Sequence, residues 1–209
     1  RWHIRPTSVP MSAFDEQLEL ANELRQERPR GRYAPSPTGP LHLGNIRTAL
    51  ISWLQIRLAD GVYVMRNEDL DERRAVEGCD EQIYADLRWL GLDWDEGPDV
   101  GGPFEPYDQS ERTEFYREAL RRLEDDARVF QCYCSRKDVR EAASAPHGPH
   151  GVVYPGTCRD LTSKEAEEAQ QRHPNRTPAW RYRVETEDLG LEDVVAGPYS
   201  QHLEREVGD

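Results

Sequence analysis

Long apolar runs are missing from this 209-residue sequence, and so is the apolar segment of a signal peptide near its start. A membrane-spanning helix needs roughly 20 apolar residues, and every apolar stretch here is broken much earlier. The four cysteines are too few for a disulfide scaffold at this length. We therefore expect a protein of the reducing cytoplasm that makes no contact with a membrane.

Basic residues are also scarce, because 27 Lys and Arg stand against 40 Asp and Glu, for a formal net charge of −13. Proteins that bind nucleic acid regardless of sequence are usually basic, so this balance argues against that class. The acidic runs are typical of a solvated surface. Residues 31–59, however, contain three arginines and no acid, so this stretch has the charge to accept a polyanion.

The hydrophobic pattern divides the chain into short helices and strands. Gly/Pro-rich segments at 31–45 and 98–107, and a loop-rich stretch at 141–157, favour turns. The predicted helices are residues 12–28, 46–59, 75–91, 108–127 and 162–172, and the predicted strands are 62–65, 129–134 and 179–185. This order predicts an α/β nucleotide-binding half followed by an inserted module.

The Gly/Pro-rich segment at 31–45 leads directly into the second predicted helix. The N-terminus of a helix presents free backbone N–H groups and the positive end of its dipole, so it can bind phosphate. Gly44 allows a nucleotide to approach the backbone, and the imidazole of His42 can donate to a phosphate. On these four residues alone, a proline-rich connector with a hydrogen-bonded histidine is the favoured explanation, because a four-residue match is weak.

A longer string, RYAPSPTGPLHLGNIRTAL, starts at Arg32 and resembles the signature of glutamyl-tRNA synthetases over nineteen residues. That signature reads R-[FIY]-A-P-S-P-T-G-x-[LP]-H-[ILV]-G-x-x-R-T-A-L. The resemblance continues at RNEDLDERR, at LRWLGLDWDEGPDVGGPFEPYDQSER and at YPGTCR, and covers residues 31–209. It implies an α/β fold, the Rossmann-type catalytic domain of a class I aminoacyl-tRNA synthetase with a small zinc-bearing insertion.

The resemblance also implies a division of the chain and an incomplete C-terminus. The second motif of class I enzymes, KMSKS, is absent, so we expect this chain to be an incomplete form of the enzyme. The implied parts are an N-terminal extension and helix (1–30), the first half of the catalytic domain (31–128), the zinc-bearing insertion (129–178) and a truncated return towards the catalytic domain (179–209).

Each matching motif position takes the role that it has in the family. The resemblance places catalysis at His42 and Asn45, with Asn45 standing where many class I enzymes have a second histidine. ATP, which enters with Mg²⁺, is expected at His42, Gly44 and Asn45. The glutamate substrate is expected at Arg32, Tyr33, Ala34, Pro35, Ser36 and Glu68. A guanidinium fork suits the substrate carboxylate and a carboxylate suits its ammonium group.

Three cysteines in the inserted module raise the question of a metal. Cys132, Cys134 and Cys158 are ligand types that zinc prefers, although two buried cysteines with no metal would also explain a C-x-C pair. The pattern C-x-C…Y-x-x-x-C is similar to the glutamyl-queuosine tRNA(Asp) synthetases, a branch of the same family. That likeness implies a structural zinc ion whose fourth ligand is Tyr154, while His147 and His150 stay open as alternatives.

This branch implies a reaction and its partners. The expected activity is ATP-dependent activation of glutamate and its transfer to queuosine in the anticodon of tRNA(Asp), by a monomer. A catalytic fragment of an ordinary glutamyl-tRNA synthetase acting on tRNA(Glu) is an alternative, and so is a catalytically idle tRNA-binding module. The short H-x-G motif also occurs in unrelated nucleotidyltransferases, which leaves a third alternative.

Overall fold

A computed structural model describes residues 12–142, 153–185, 188–193 and 196–209. The chain divides into two compact units, Arg1–Glu118 and Ala119–Asp209. No helix in the described ranges is long and apolar enough to span a bilayer. His147 and His150, the alternative zinc ligands, lie outside the described residues.

The first unit is built on a β-α-β arrangement. Strand β1 (Arg30–Tyr33) runs parallel to strand β2 (Val62–Met65), with Arg30 opposite Val62 and Tyr33 opposite Met65. Helix α2 (Leu43–Leu58) connects the two strands. A tight hairpin reverses the chain once and so joins antiparallel strands. Two adjacent parallel strands therefore need a longer crossover, which is usually a helix. The unit is therefore an α/β nucleotide-binding type of fold, as predicted.

The core of this unit lies where the sheet meets the helices. Tyr63 and Met65 of β2 are buried together with Ile83 and Leu87 of helix α3 (Cys79–Trp89). Ala49 of α2 is also buried, and its carbonyl accepts a hydrogen bond from the Tyr63 hydroxyl at 3.0 Å. The alternating burial of β2 is what a strand with one covered face requires.

The remaining elements of the first unit flank this core. Helix α1 (Ala13–Glu27) is capped by the Ser12 side chain, which accepts a hydrogen bond from the Asp15 amide at 3.2 Å. A 3₁₀ turn (Gln109–Arg112) leads into helix α4 (Thr113–Asp125). The peptide amide of Asn67 donates to the Tyr107 carbonyl, so the chain beyond β2 is tied to the segment before that turn.

The second unit is smaller and holds two antiparallel strand pairs. Strand β3 (Val129–Cys132) pairs with β4 (Ala179–Tyr182), and β5 (Asp188–Asp193) pairs with β6 (Gly197–His202). The helices of this unit are α5 (Arg136–Ala142), α6 (Ser163–Arg172) and α7 (Leu203–Glu206). Its buried cluster consists of Phe130, Cys132, Tyr154 and Cys158.

Most predicted elements are confirmed, but several differ in extent, and strands β3 and β4 are shorter than predicted. The sequence predicts a loop from Gly31 onwards, but residues 31–33 belong to β1. Their strand conformation depends on hydrogen bonds to β2, which the local Gly-rich sequence does not reveal. Helix α2 begins at Leu43 rather than at residue 46, since His42 caps it. Helix α3 begins four residues later than predicted, and the predicted helix 108–127 opens with the 3₁₀ turn. The pair β5–β6 was not predicted, because its six-residue strands are polar and exposed.

Candidate functional site

The first candidate site is the connection between β1 and α2. Beyond the strand ends, the amides of Arg66 and Glu68 donate to the carbonyls of Tyr33 and Pro35, each at 3.0 Å. The two segments therefore run side by side past the carboxyl ends of β1 and β2. In open parallel sheets this edge is where ligands bind.

His42 and Asn45 form a reciprocal cap at the start of α2. The Gly44 amide donates to Nδ1 of His42 at 3.1 Å, and the His42 amide donates to Oδ1 of Asn45 at 3.1 Å. Because Nδ1 accepts a hydrogen bond, the neutral imidazole carries its proton on Nε2. The His42 ring is exposed, so that Nε2–H can donate to a ligand at the helix N-terminus.

A cavity of about 520 Å³ opens beside this cap. Its lining brings together most of the predicted site residues, namely Tyr33, Ala34, Pro35, Ser36, His42 and Asn45. Gly44 is the second residue of α2 and belongs to the same cap, although its own atoms are not part of the lining. A backbone turn followed by a helix N-terminus gives this cavity donors for phosphate oxygens.

The side chain of Arg74 supplies a positive charge to the lining of this cavity. The sequence analysis did not assign Arg74 a role. Its guanidinium lies 4.0 Å from the Asp71 carboxylate and is largely exposed. The final arginine of the string RNEDLDERR was the available signal. Tyr33, which lines the cavity, carries a buried hydroxyl that has no hydrogen-bond partner among the described residues. Burial, followed by the neighbouring Tyr63, raises the pKa of Tyr33.

Arg32 and Glu68 lie outside the lining of this cavity. Successive residues of a strand point to opposite faces, so Arg32 points away from Tyr33. Arg32 lines a second cavity of about 360 Å³, together with Arg66 and the buried Gln109. The Glu68 carboxylate accepts a hydrogen bond from Nε of Arg66 at 2.6 Å. Of the predicted glutamate-binding residues, four therefore line the first cavity and Arg32 lines the second, whereas Glu68 lines neither and only pairs with Arg66 of the second.

Gln109 is a second residue that the sequence did not single out. It is 3% exposed, and its Nε2 has no hydrogen-bond partner among the described residues. Its Oε1 accepts a hydrogen bond from the Tyr116 hydroxyl, so only the NH₂ group is unpaired, and an unpaired buried donor costs about 1–3 kcal/mol. Its position in a 3₁₀ turn gave no periodic signal by which to find it.

The second candidate site is the cysteine cluster of the second unit. The sulfur atoms of Cys132, Cys134 and Cys158 all lie within 4.8 Å of one another. The Cys134 and Cys158 sulfurs are 3.6 Å apart. Zinc–sulfur bonds of about 2.3 Å in a tetrahedron place two sulfurs about 3.8 Å apart, so this thiol set fits a zinc ion. The predicted ligands are thus brought together.

Tyr154 reaches the same cluster through its hydroxyl. That oxygen lies 3.5 Å from the Cys132 sulfur, and it accepts a hydrogen bond from the Cys158 amide at 2.7 Å. The guanidinium of Arg181 lies 3.7 Å from the centre of the Tyr154 ring. Contacts with Cys132, Cys158 and Arg181 therefore fix the phenol ring, and its oxygen lies at the edge of the three-cysteine cluster.

The thiols of the cluster differ in acidity. Burial raises the pKa of Cys132, but its hydrogen bonds with Tyr154 and Arg181 outweigh burial and hold the pKa below its usual value. Burial, followed by the Cys158 thiol, raises the pKa of Cys134 to about 12. Cys79, the fourth cysteine, is buried in the first unit and its thiol donates to the Gly39 carbonyl at 3.1 Å. The prediction that Cys79 belongs to the core is confirmed.

A parallel β-α-β unit with a helix N-terminus at the carboxyl ends of its strands is typical of nucleotide-binding domains. The chain belongs to the family described as tRNA synthetases class I (E and Q), catalytic domain, whose sequence profile matches residues 29–207. The predicted family is therefore confirmed.

Two curated relatives from one organism, Symbiobacterium thermophilum, were compared with this chain. The chain is 54% identical to its glutamyl-Q tRNA(Asp) synthetase over 172 residues, which cover 80% of the chain and 52% of the relative. It is 43% identical to the glutamate–tRNA ligase of that organism, over 81% of the chain and 35% of the relative. The chain thus spans about half the length of the glutamyl-Q tRNA(Asp) synthetase.

A solved structure supports the same fold. The glutamate-tRNA synthetase of Elizabethkingia anophelis superposes with a TM-score of 0.71 at 26% sequence identity. The match covers 87% of this chain and 38% of that chain. The α/β catalytic domain predicted from the signature is therefore confirmed.

Proposed function

We propose that this protein activates glutamate with ATP and transfers it to queuosine in tRNA(Asp). The observation that carries the proposal is the cavity at the N-terminus of α2, whose lining includes eleven residues of the glutamyl signature. The greater identity to a glutamyl-Q tRNA(Asp) synthetase than to a glutamate–tRNA ligase of the same organism favours queuosine over a terminal adenosine.

In the first step, a glutamate carboxylate oxygen attacks the α-phosphorus of ATP, and pyrophosphate leaves. The Nε2–H of His42 and the free amides at the start of α2 stabilise the charge that develops on the phosphate oxygens. Asn45 holds the His42 backbone in place through its Oδ1. In the second step, a queuosine hydroxyl attacks the acyl carbon, and AMP leaves.

Arg32 is the proposed partner of a glutamate carboxylate, and Glu68 the partner of its ammonium group. The guanidinium of Arg32 has no carboxylate partner among the described residues, so it is available to a ligand. Arg66 links these two residues, because it pairs with Glu68 and lines the same cavity as Arg32. Ala34, Pro35 and Ser36 form the wall of the neighbouring cavity.

Glutamate-dependent exchange of pyrophosphate into ATP tests the activation step. We expect Arg32→Ala to raise the glutamate KM at least tenfold, because alanine has no guanidinium fork to hold the substrate carboxylate. The matched control is Arg117→Ala, which removes an exposed arginine of α4 that pairs with Glu114. An unchanged glutamate KM in Arg32→Ala would refute its role.

Acylation of defined transcripts tests the acceptor. We expect charging of tRNA(Asp) that carries queuosine and no charging of the same tRNA without it. Charging of tRNA(Glu) instead would favour the ordinary glutamyl-tRNA synthetase. In a longer form of the protein that includes the C-terminal half of the catalytic domain, absence of exchange with any amino acid would favour an idle tRNA-binding module. Size-exclusion chromatography tests the expected monomer.

A structural zinc ion in the second unit is part of the same proposal. The chemistry supports three thiolates from Cys132, Cys134 and Cys158, with the Tyr154 oxygen as the fourth ligand. We expect native mass spectrometry to find one zinc ion per chain and Cys134→Ser to lose it, while Cys79→Ser keeps it. If Tyr154→Phe retains zinc with full affinity, a ligand such as His147 or His150 replaces the phenol.

A further inference from the structure

Arg181 lies beside the cysteine cluster of the second unit, although it is not one of the proposed zinc ligands. It belongs to β4 and pairs directly with Phe130 of β3. Residues that face each other across an antiparallel pair point to the same side, and so does Cys132, two positions beyond Phe130. The strand register therefore directs the Arg181 side chain to the face that holds the buried Phe130 and Cys132.

The guanidinium of Arg181 is held against the ring of Tyr154. Its Cζ atom lies 3.7 Å from the ring centre, well inside the roughly 6 Å within which a cation and an aromatic face attract each other. Its Nη1 donates to the backbone oxygen of Asp209 at 2.5 Å. The cation thus has a fixed position over the phenol whose oxygen reaches the thiols.

The charge of Arg181 is not balanced by an acidic side chain. No carboxylate side chain of the described residues lies within 4.0 Å of its guanidinium. It lines a cavity of about 580 Å³ together with Arg136, Arg140 and Arg176, and no aspartate or glutamate belongs to that lining. The adjacent group that can supply negative charge is the cysteine cluster, whose zinc-binding form is the thiolate.

A zinc ion bound by three thiolates leaves its site with a net negative charge, and a phenolate ligand makes that charge larger. Cys132, Cys158 and Tyr154 are buried, and an uncompensated charge is costly in such surroundings. We infer that Arg181 is a positioning residue of the zinc site. It offsets the negative charge of the site and holds the Tyr154 oxygen at the cluster, 3.5 Å from the Cys132 sulfur.

This inference rests on the zinc ion of the proposed function and adds a residue outside its ligand set. The presence of zinc in the unmodified protein tests the site itself. The zinc affinity of Arg181 variants tests the inference, so the two can fail separately.

Competition with a chromophoric chelator measures the zinc affinity of each variant. We expect Arg181→Ala to bind zinc about 10–100-fold more weakly, which is the usual loss when an outer partner of a metal ligand is removed. The matched control is Arg183→Ala, because Arg183 also stacks on a ring of this unit. Its Cζ lies 5.0 Å from the centre of the Phe130 ring, which offers no ligand atom, and its Nη1 lies 3.1 Å from the Asp160 carboxylate. Arg183→Ala should bind zinc as tightly as the unmodified protein.

A double-mutant cycle with Tyr154→Phe tests whether Arg181 acts through the phenol. Phenylalanine keeps the ring beneath the cation but has no oxygen for the metal. Arg181→Ala should therefore cost less zinc affinity in the Tyr154→Phe background than it does alone. The absorption spectrum of Co²⁺ bound in place of zinc reports the ligand set, and in Arg181→Ala it should shift towards the spectrum of Tyr154→Phe.

The variant Arg181→Lys separates the charge from the packing of β4. Lysine keeps a cation near the phenol, so this variant should bind zinc more tightly than Arg181→Ala. Equal zinc affinity in the unmodified protein and Arg181→Ala would overturn the inference and leave the zinc site intact. An equal loss in Arg183→Ala, equal affinities of the lysine and alanine variants, or strictly additive losses in the cycle would overturn it as well. Absence of zinc from the unmodified protein would refute the site itself, and this inference with it.

Discussion

His42 has two separable functions at the scale of single residues. Its Nδ1 caps α2 and its Nε2–H is free for a phosphate. Sequence reasoning identified the residue by its motif, but the cap became evident only from the hydrogen bonds. The same holds for Asn45, whose oxygen accepts the His42 amide, so the change from the usual second histidine preserves a structural role.

Two substitutions of His42 separate these functions. His42→Ala should lower the free energy of unfolding by about 1 kcal/mol, because alanine cannot cap the helix. His42→Asn should restore that stability, since asparagine is a good N-cap residue. Exchange of pyrophosphate should fall about a hundredfold in both variants, because a donor to the charged phosphate is missing. Thermal melting and exchange assays measure the two effects, and full activity in His42→Asn would contradict the role of Nε2–H.

At the scale of elements, Gly31 sets the distance between β1 and α2. A Cβ atom at this position would lie 2.1 Å from Cγ1 of Ile56 and 2.8 Å from its Cδ1. No side chain fits unless the helix moves or Ile56 becomes smaller. The first glycine of the Gly/Pro-rich segment 31–45 is therefore explained by its packing against α2.

A double-mutant cycle tests this packing. Gly31→Ala alone should destabilise the protein by about 1–3 kcal/mol, as overpacking does. Ile56→Ala removes both close atoms, so the double variant should be more stable than the sum of the single effects predicts. Denaturant unfolding measures each free energy. Strict additivity would show that the two residues do not compete for the same space.

The C-terminal end of α2 is tied down by a group of charged residues. Asp93 accepts hydrogen bonds from the Trp53 indole and from Nη2 of Arg57, both at 2.9 Å. Arg57 also donates to Asp95 at 2.6 Å. One arginine of the acid-free stretch is thereby neutralised by acids from another segment, which only the fold could show.

The Asp93 hydrogen bonds predict a dependence of stability on pH. The hydrogen bond from Trp53, aided by Arg57, lowers the pKa of Asp93. A lowered pKa stabilises the fold above the unfolded value of about 3.9, and this contribution is lost as the pH falls through the folded value. Asp93→Asn should therefore lower the melting temperature at pH 7, and the difference should vanish in strong acid.

The matched control for Asp93→Asn is Glu72→Gln. Glu72 is exposed and has no ion-pair partner among the described residues, so its removal tests the loss of one negative charge alone. A pH-independent difference for Asp93→Asn, or an equal effect in Glu72→Gln, would refute the assignment.

At the scale of the whole molecule, the two compact units predict separate responses to metal removal. A structural zinc ion would stabilise only the unit that holds the thiols. A chelator should therefore accelerate amide hydrogen exchange in β3 and β4 and leave β1 and β2 unchanged. Mass spectrometry of exchanged peptides measures both. In Cys134→Ser the chelator should have no further effect, and equal acceleration in both units would contradict a local role.

The sequence by itself determined the family, most helices and strands, and the residues around the helix cap. These features depend on local signals, namely a nineteen-residue signature, the 3.6-residue spacing of apolar positions and the ligand types of three cysteines. It also led to the thiol cluster, although Cys132 and Cys158 are 26 positions apart, because the family pattern linked them.

Only the tertiary structure decided how these residues are distributed in space. The alternation of β1 placed Arg32 in a different cavity from Tyr33, and the path of the chain beyond the strand placed Ala34 and Ser36 in the cavity of Tyr33. Folding also brought Gln109 to the side of Arg32, and it gathered Arg136, Arg140, Arg176 and Arg181 around one cavity. Contacts between residues far apart in the chain depend on pairing and packing, which leave no periodic trace along the sequence.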